Sequence, residues 1–251
     1  MAARAKLSRL SREKMQTALS FSAVQKRFGA VPALRGLSFS VQPGEFFGLV
    51  GVNGAGKTTL IKCLLDFCAL DGGAIEICGV PHREPRSRAN LIYLPERFTP
   101  PHYLTGRDFL DMMRRLHRAR YGAMEIDAMV QSLDFSIEAL AKPVRSLSKG
   151  MTQKLGLAGV LLAAKPVLVL DEPMSGLDPR ARALLKNRLA ELRRAGTTVF
   201  FTSHQLADME ELADRMAILH AGELRFCGRP AELRSAGGAN DLETAFLAAI
   251  A

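Results

Sequence analysis

Apolar residues in this chain fall into short continuous runs separated by longer stretches of helical period. Phe46–Val50, Leu91–Leu94, Val167–Leu170 and Thr197–Thr202 are such runs, the pattern of strands buried on both faces. Between them, Lys57–Phe67, Gly150–Ala164, Arg180–Ala195 and Gln205–Ala213 have the length and spacing of helices. Ala18–Val24, Leu37–Val41 and Ala74–Cys78 read as further strands, with turns at Gln42–Glu45 and Asp71–Gly73. Arg215–His220 and Glu223–Cys227, split by Ala221–Gly222, read as a hairpin. Gly106–Tyr121 and Glu125–Leu133 carry helical periodicity and few β-branched residues, so a helical insertion is expected between strands. Strands alternating with helices predict an α/β fold with a mostly parallel sheet. The pattern divides the chain into an arm at residues 1–17, a core at 18–98 and 165–235, a helical part at 99–164 and a C-terminal tail or helix at 236–251.

Composition narrows this picture only slightly. Hydrophobic residues make up 48% of the 251 residues and charged ones 24%, as in a globular protein with a real core. A bilayer-spanning helix needs roughly 20 mostly apolar residues, and no run here is that long, so any membrane role calls for another chain. The net charge of +9 is partly local, because Met1–Lys14 carries Arg4, Lys6, Arg9, Arg12 and Lys14 against Glu13. Such a surplus attracts nucleic acid or anionic lipid, or serves solubility alone. The start lacks an apolar segment, so no secretory leader is expected. Cys63, Cys68, Cys78 and Cys227 match no CxxC metal pair and are expected as reduced thiols.

Candidate chemistry begins at Gly51-Val-Asn53-Gly54-Ala55-Gly56-Lys57-Thr58-Thr59, a full match to GxxxxGK[ST] between an apolar strand and a helix. Glycines let backbone N–H groups close around phosphate oxygens, and the helix N-terminus adds donors and its positive dipole end. Lys57 is expected on the outer phosphates, Thr58 on Mg²⁺ and Thr59 on an inner phosphate. Val167–Leu170 then runs into Asp171-Glu172-Pro173, placing two carboxylates at a strand's carboxyl end, where open α/β sheets bind ligands. Asp171 can hold Mg²⁺ through water and Glu172 can polarise an attacking water. Alone, this pair also reads as an acidic turn after a core strand.

Four further segments narrow the family. Leu147-Ser148-Lys149-Gly150-Met151-Thr152-Gln153 precedes a helix and resembles the LSGGQ signature of ABC ATPases. Ser175-Gly-Leu-Asp178-Pro179 resembles their D-loop, Thr202-Ser203-His204 their switch histidine, and Val24–Gly29 the segment whose aromatic stacks on adenine. The order and spacing match from about Ala18 to Leu233, and LPE and SKGM sequences resemble the bacterial ABC-2-type exporter branch. Taken singly, Ser148 also reads as a helix cap, Asp178 as a turn and His204 as a core histidine.

The resemblance implies a P-loop NTPase (RecA-like) core with an antiparallel β subdomain and an inserted helical subdomain. It implies ATP and Mg²⁺ as cofactors and ATP hydrolysis as the activity. Phe28 would stack on adenine, and His204 would bond the γ-phosphate. Ser148 and Gly150 would reach the ATP of a partner subunit, and Asp178 would lie across the dimer interface. Partners would be a second ATPase subunit and a separate transmembrane permease, with no nucleic acid expected, and the place would be the cytoplasmic face of the cell membrane. Four positions depart from the family's commoner residues: Lys149 replaces the signature's first glycine, Met151 its glutamine, Phe28 the usual tyrosine, and Glu96 stands where most members have Gln. A carboxylate at Glu96 would ligate Mg²⁺ and add negative charge. The competing function is a soluble ABC-type ATPase acting on nucleic acid or ribosomes. The basic surplus fits it, whereas the second ATPase half, long coiled coil or zinc cysteines usual in those relatives have no counterpart here.

Overall fold

The central parallel strands of the core are buried at every position because their two faces are covered by different layers. In the computed structural model, which describes residues 17–237 and 241–251, β3 (Phe46–Val50) sends Phe46 and Val50 into one apolar cluster and Phe47 and Leu49 into another. β7 (Val167–Leu170) divides its residues in the same way. The basic stretch Met1–Lys14 lies outside the described residues.

The main sheet has six strands in the order β10-β9-β3-β8-β7-β6. β6 (Leu91–Leu94), β7, β8 (Thr198–Thr202), β3 and β9 (Arg215–His220) run parallel, and β10 (Glu223–Gly228) closes one edge antiparallel to β9. A second, antiparallel sheet runs β2-β1-β4-β5, from β1 (Leu19–Phe28), β2 (Val31–Val41), β4 (Gly72–Ile77) and β5 (Val80–Pro81). A ladder of rings joins the sheets: Phe21 stacks on Phe39 at 4.4 Å, Phe39 on Phe47 at 5.3 Å, and Phe47 on Phe200 at 6.0 Å. α1 (Lys57–Leu64) packs into this layer through Leu60, Ile61, Cys63 and Leu64.

The other face of the main sheet is covered by helices. Between β6 and β7 come α2 (Gly106–His117), α3 (Ala123–Ser132) and α4 (Lys149–Leu162). After β7 come α5 (Pro179–Arg194) and α6 (Leu206–Leu212), then α7 (Pro230–Gly237) and α8 (Leu242–Ile250). The first three form the helical insertion that the periodicity predicts. α2 starts on a capping box, in which Thr105 accepts from the Asp108 N–H while Asp108 accepts from the Thr105 N–H. No helix among the described residues is long and apolar enough to cross a membrane.

Several bounds differ from the sequence reading. β1 extends to Phe28, and β2 begins at Val31 rather than Leu37. An irregularity at Ala23, whose φ is +48°, breaks the alternation and hides the outer half of the hairpin. α1 stops at Leu64 because Asp66 takes a left-handed conformation with φ +63°. α2 stops at His117, where Arg118 does the same. The four cysteines are free thiols, and burial pushes Cys63 up to about 12.

Candidate nucleotide site

Sheet topology brings the candidate chemistry to one end of the strands. Gly51–Thr59 follows β3, Asp171 and Glu172 follow β7, His204 follows β8 and Glu96 follows β6. They surround a cleft of about 480 Å³ lined by Ala33, Val52, Asn53, Gly54, Ala55, Gly56, Lys57, Thr58, Thr59, Glu96, Asp171, Glu172, Ser175 and His204. A cleft at the carboxyl ends of a parallel sheet is where such sheets bind ligands.

The loop is shaped partly by the protein's own backbone. A Cβ on Gly51 would stand 2.2 Å from the Leu219 carbonyl oxygen, so this position must be glycine for β9 to pass. Gly54, at φ +81°, has nothing within 4 Å of its Cβ position and leaves its side of the loop open. Gly56 is the N-cap of α1, with no side-chain cap bond and no acid in the first turn. The first N–H groups of α1 therefore have no side-chain acceptor, the arrangement that suits an anion. Lys57 Nζ folds back onto the Gly51 carbonyl at 2.6 Å.

On the opposite wall, one threonine organises both carboxylate residues. Thr202, fully buried, donates to Asp171 Oδ1 at 2.7 Å and accepts from the Glu172 N–H at 2.9 Å. Glu172 is held at φ +50°, a left-handed conformation that is strained for a residue with a side chain. Its Oε2 lies 2.8 Å from His204 Nδ1. With the proton on Nδ1 toward the carboxylate, Nε2 is the free ring nitrogen. The Asp171 N–H donates to the Leu94 carbonyl at 2.9 Å, which fixes the end of β7 beside the chain leading to Glu96. Burial raises the Asp171 carboxyl above the ordinary carboxylate range, and the charges of Glu172 and Glu96 add to this against the Thr202 bond and Lys57.

Not every candidate residue reaches this cleft. Phe28 sits at the end of β1, 54% exposed, with Lys26 Nζ 5.5 Å from its ring centre, and does not line the cleft. Ser148 caps α4, accepting from the Met151 N–H at 3.2 Å. Gly150 approaches the Gly176 carbonyl, 3.0 Å from its Cβ position. Asp178 caps α5, accepting from the Ala181 N–H at 2.9 Å, and its carboxyl is held below the ordinary range chiefly by that bond. Ser148 and Gly150 thus lie against the segment that carries Asp178, and none of the three lines the cleft of their own chain.

Thr202, Ser175 and Val52 stand within the quoted motifs but receive no role of their own from the sequence, and Ala33 is not singled out at all. Only Thr202 carried a signal, as the polar end of a strand whose register sets Leu170 opposite Phe201 and hence Asp171 beside Thr202.

Comparison with known proteins agrees with this geometry. The sequence profile described as ABC transporter matches residues 34–175. An ABC transporter ATP-binding protein of Synechocystis is 42% identical over 208 residues, 81% of this chain and 58% of its own length. The Nod factor export ATP-binding protein I of Ralstonia nicotianae is 36% identical over 225 residues, 86% of this chain and 68% of its own. A daunorubicin resistance ATP-binding protein of Streptomyces coeruleorubidus is 35% identical over 231 residues, covering 90% and 73%. The chain thus spans less than two thirds of the Synechocystis relative's length. A solved ATP-binding subunit of an ABC transporter superposes with a TM-score of 0.84 at 28% identity, covering 93% of this chain and 99% of that one. On this fold, profile and set of relatives, the chain belongs to the ABC transporter family, among its ATP-binding proteins.

Proposed function

We propose that this chain binds and hydrolyses ATP with Mg²⁺, pairs with a second ATPase subunit, and drives export through a separate membrane-spanning permease at the cytoplasmic face of the membrane. The observation that carries the reading is the meeting of the Gly51–Thr59 loop, Asp171, Glu172 and His204 around one cleft. In this reading residues 18–98 and 165–235 form the nucleotide-binding core, and residues 99–164 form the helical part that bears Ser148. The export direction is supported by the Nod factor export relative.

The donor set fits a magnesium nucleotide. Among the described residues no group of three or more His, Cys, Asp or Glu side chains stands ready to hold a metal. Mg²⁺ does not need one, since it is held by one or two carboxylates together with phosphate oxygens and water. The Asp171 carboxyl is raised first by burial and then by the Glu172 and Glu96 charges, and a divalent cation would offset both. Asp171, Thr58 and Glu96 are the residues that would hold it, and when bound it neutralises charge on the phosphates. Lys57 would leave the Gly51 carbonyl for the outer phosphates. Glu172 would orient and polarise water, with His204 holding the Glu172 carboxylate and the γ-phosphate. Phe28 would offer its exposed face to adenine.

Ser148, Gly150 and Asp178 lie outside their own cleft, which fits a site completed by the second subunit. The test is steady-state phosphate release by the purified chain, with and without Mg²⁺, as a function of protein concentration. Activity that rises more steeply than in proportion to concentration supports the reading. Absence of Mg²⁺-dependent release, with or without a co-purified membrane partner, removes it.

A further inference from the structure

Lys154 lies on α4, one turn beyond the segment that opens with Ser148, and its side chain is 10% exposed. A lysine this deeply placed in a chain with a surplus of cations requires carboxylates nearby. Lys154 Nζ donates to the Asp134 carbonyl at 2.9 Å and to Asp134 Oδ2 at 3.2 Å, and it sits 3.6 Å from Asp178 Oδ2. Asp134 follows α3 in a left-handed conformation, φ +57°. Its other carboxylate oxygen lies 3.4 Å from Arg180 Nε in the first turn of α5. Asp178 divides its own oxygens: Oδ1 caps α5 and Oδ2 faces Lys154. Two acids and two bases thereby form an ion-pair network, Asp178–Lys154–Asp134–Arg180, that joins the end of α3, the body of α4 and the start of α5.

The network spans two parts of the molecule. Asp134 and Lys154 belong to the helical insertion, whereas Asp178 and Arg180 belong to the segment that follows Asp171 and Glu172. The same seam carries a second contact, from Gln153 Nε2 to the Pro173 carbonyl at 3.3 Å. Because its Oδ1 is committed to the α5 cap, Asp178 can turn only about that anchor, and the Lys154 ammonium decides where Oδ2 points.

We infer that Lys154 is a positioning residue for hydrolysis: through the Asp134–Lys154–Asp178 network it sets the Asp178 carboxylate and ties that segment to the helical insertion. The inference rests on the ATPase reading given above. Lys154 does not line the cleft, so its loss leaves nucleotide binding in place and lowers turnover. Arginine, which keeps the charge and can reach both carboxylates, retains the function.

The test is kcat and KM for ATP in the full chain for wild type, Lys154→Met, Lys154→Arg and Asp178→Asn. Lys154→Met is expected to lower kcat about tenfold with KM within about twofold, and Lys154→Arg to recover most of the loss. Asp134→Asn combined with Lys154→Met should be no slower than Lys154→Met alone, the non-additivity of residues acting as one unit. The inference is overturned if Lys154→Met keeps wild-type kcat, if its loss appears in KM, or if Lys154→Arg is as slow as Lys154→Met. Should Lys154→Met fail to fold, Asp178→Asn decides, because asparagine still caps α5 but offers Lys154 no carboxylate. Wild-type kcat in that variant overturns the inference. A wild-type chain without ATPase activity refutes the ATPase reading itself and is distinguished from all these outcomes.

Discussion

His204 Nδ1 stands 2.8 Å from Glu172 Oε2, across the gap between the ends of two adjacent parallel strands. Glu172 is 12% exposed at its side chain and His204 59%, so the pair has an inner and an outer member. The inner one is strained, at φ +50°, and is held by the Thr202 hydroxyl at its N–H and by the imidazole at its carboxylate. Strain kept in place from both ends is what a pre-positioned group requires. In the proposed reading this geometry assigns Glu172, rather than Asp171, to meet water.

Removing the Glu172 charge while keeping its shape isolates that role. Glu172→Gln is expected to bind ATP as wild type does and to lower phosphate release by about 10²-fold or more, the scale lost with a positioned general base. Equilibrium nucleotide binding and single-turnover hydrolysis check it. Turnover within a few fold of wild type would show that another group activates water.

Thr202 is the residue on which both acids depend. Thr202→Val keeps the shape of a fully buried side chain and removes two hydrogen bonds, leaving Asp171 and the Glu172 N–H without that partner. An unsatisfied buried polar group costs about 1–3 kcal/mol. The variant should therefore melt lower in calorimetry, and turnover should fall as Glu172 loses its anchor. A variant that melts and turns over like wild type would show that β8 alone fixes the acidic segment.

How far the sequence showed this site depends on the kind of information each residue carries. Lys57, Asp171 and Glu172 lie in short local motifs at strand ends, and continuous apolar runs located β3, β6 and β7 to the residue. Thr202 and Lys154 act through partners 30 and 20 residues away, as the hydrogen bonds to the Glu172 N–H and to Asp134 show, and no local pattern encodes those pairings. The left-handed turn at Glu172 was equally hidden, since glutamate has no preference for it. The outer half of the β1–β2 hairpin escaped because one irregularity at Ala23 shifts the alternation.

Two loop glycines separate packing from openness. A methyl group on Gly51 meets the Leu219 carbonyl at 2.2 Å, whereas on Gly54 it meets nothing within 4 Å. Gly51→Ala should cost about 3 kcal/mol or more through overpacking, and Gly54→Ala about 1 kcal/mol through its positive φ alone. At this chain length each kcal/mol lowers Tm by roughly 2–4 °C. Differential scanning calorimetry should place Gly51→Ala well below Gly54→Ala. The reverse order would mean that β9 yields to the loop more readily than the loop yields to its own conformation.

Asp171 sets fold stability against function, and pH exposes the conflict. Burial, then the charges of Glu172 and Glu96, raise its carboxyl above the ordinary range, against the Thr202 bond and Lys57. In the window between the ordinary carboxylate value and the raised one, the folded chain holds more protons than the unfolded chain, so unfolding releases protons and stability falls as pH rises. The Asp171 contribution is neutral at pH below that window and fully unfavourable above it. Asp171→Asn removes the charge and can still accept from Thr202, so it should melt higher than wild type near pH 7.5, with the difference shrinking as the pH falls below the window. The same variant should lose Mg²⁺-dependent turnover, because the buried carboxylate that destabilises the nucleotide-free fold is the one that would face the cation. Melting curves across that pH range, with and without Mg²⁺ and ATP, measure both effects. Equal melting temperatures for the two proteins at pH 7.5 in the absence of nucleotide would mean that the Thr202 bond and Lys57 already offset the charge.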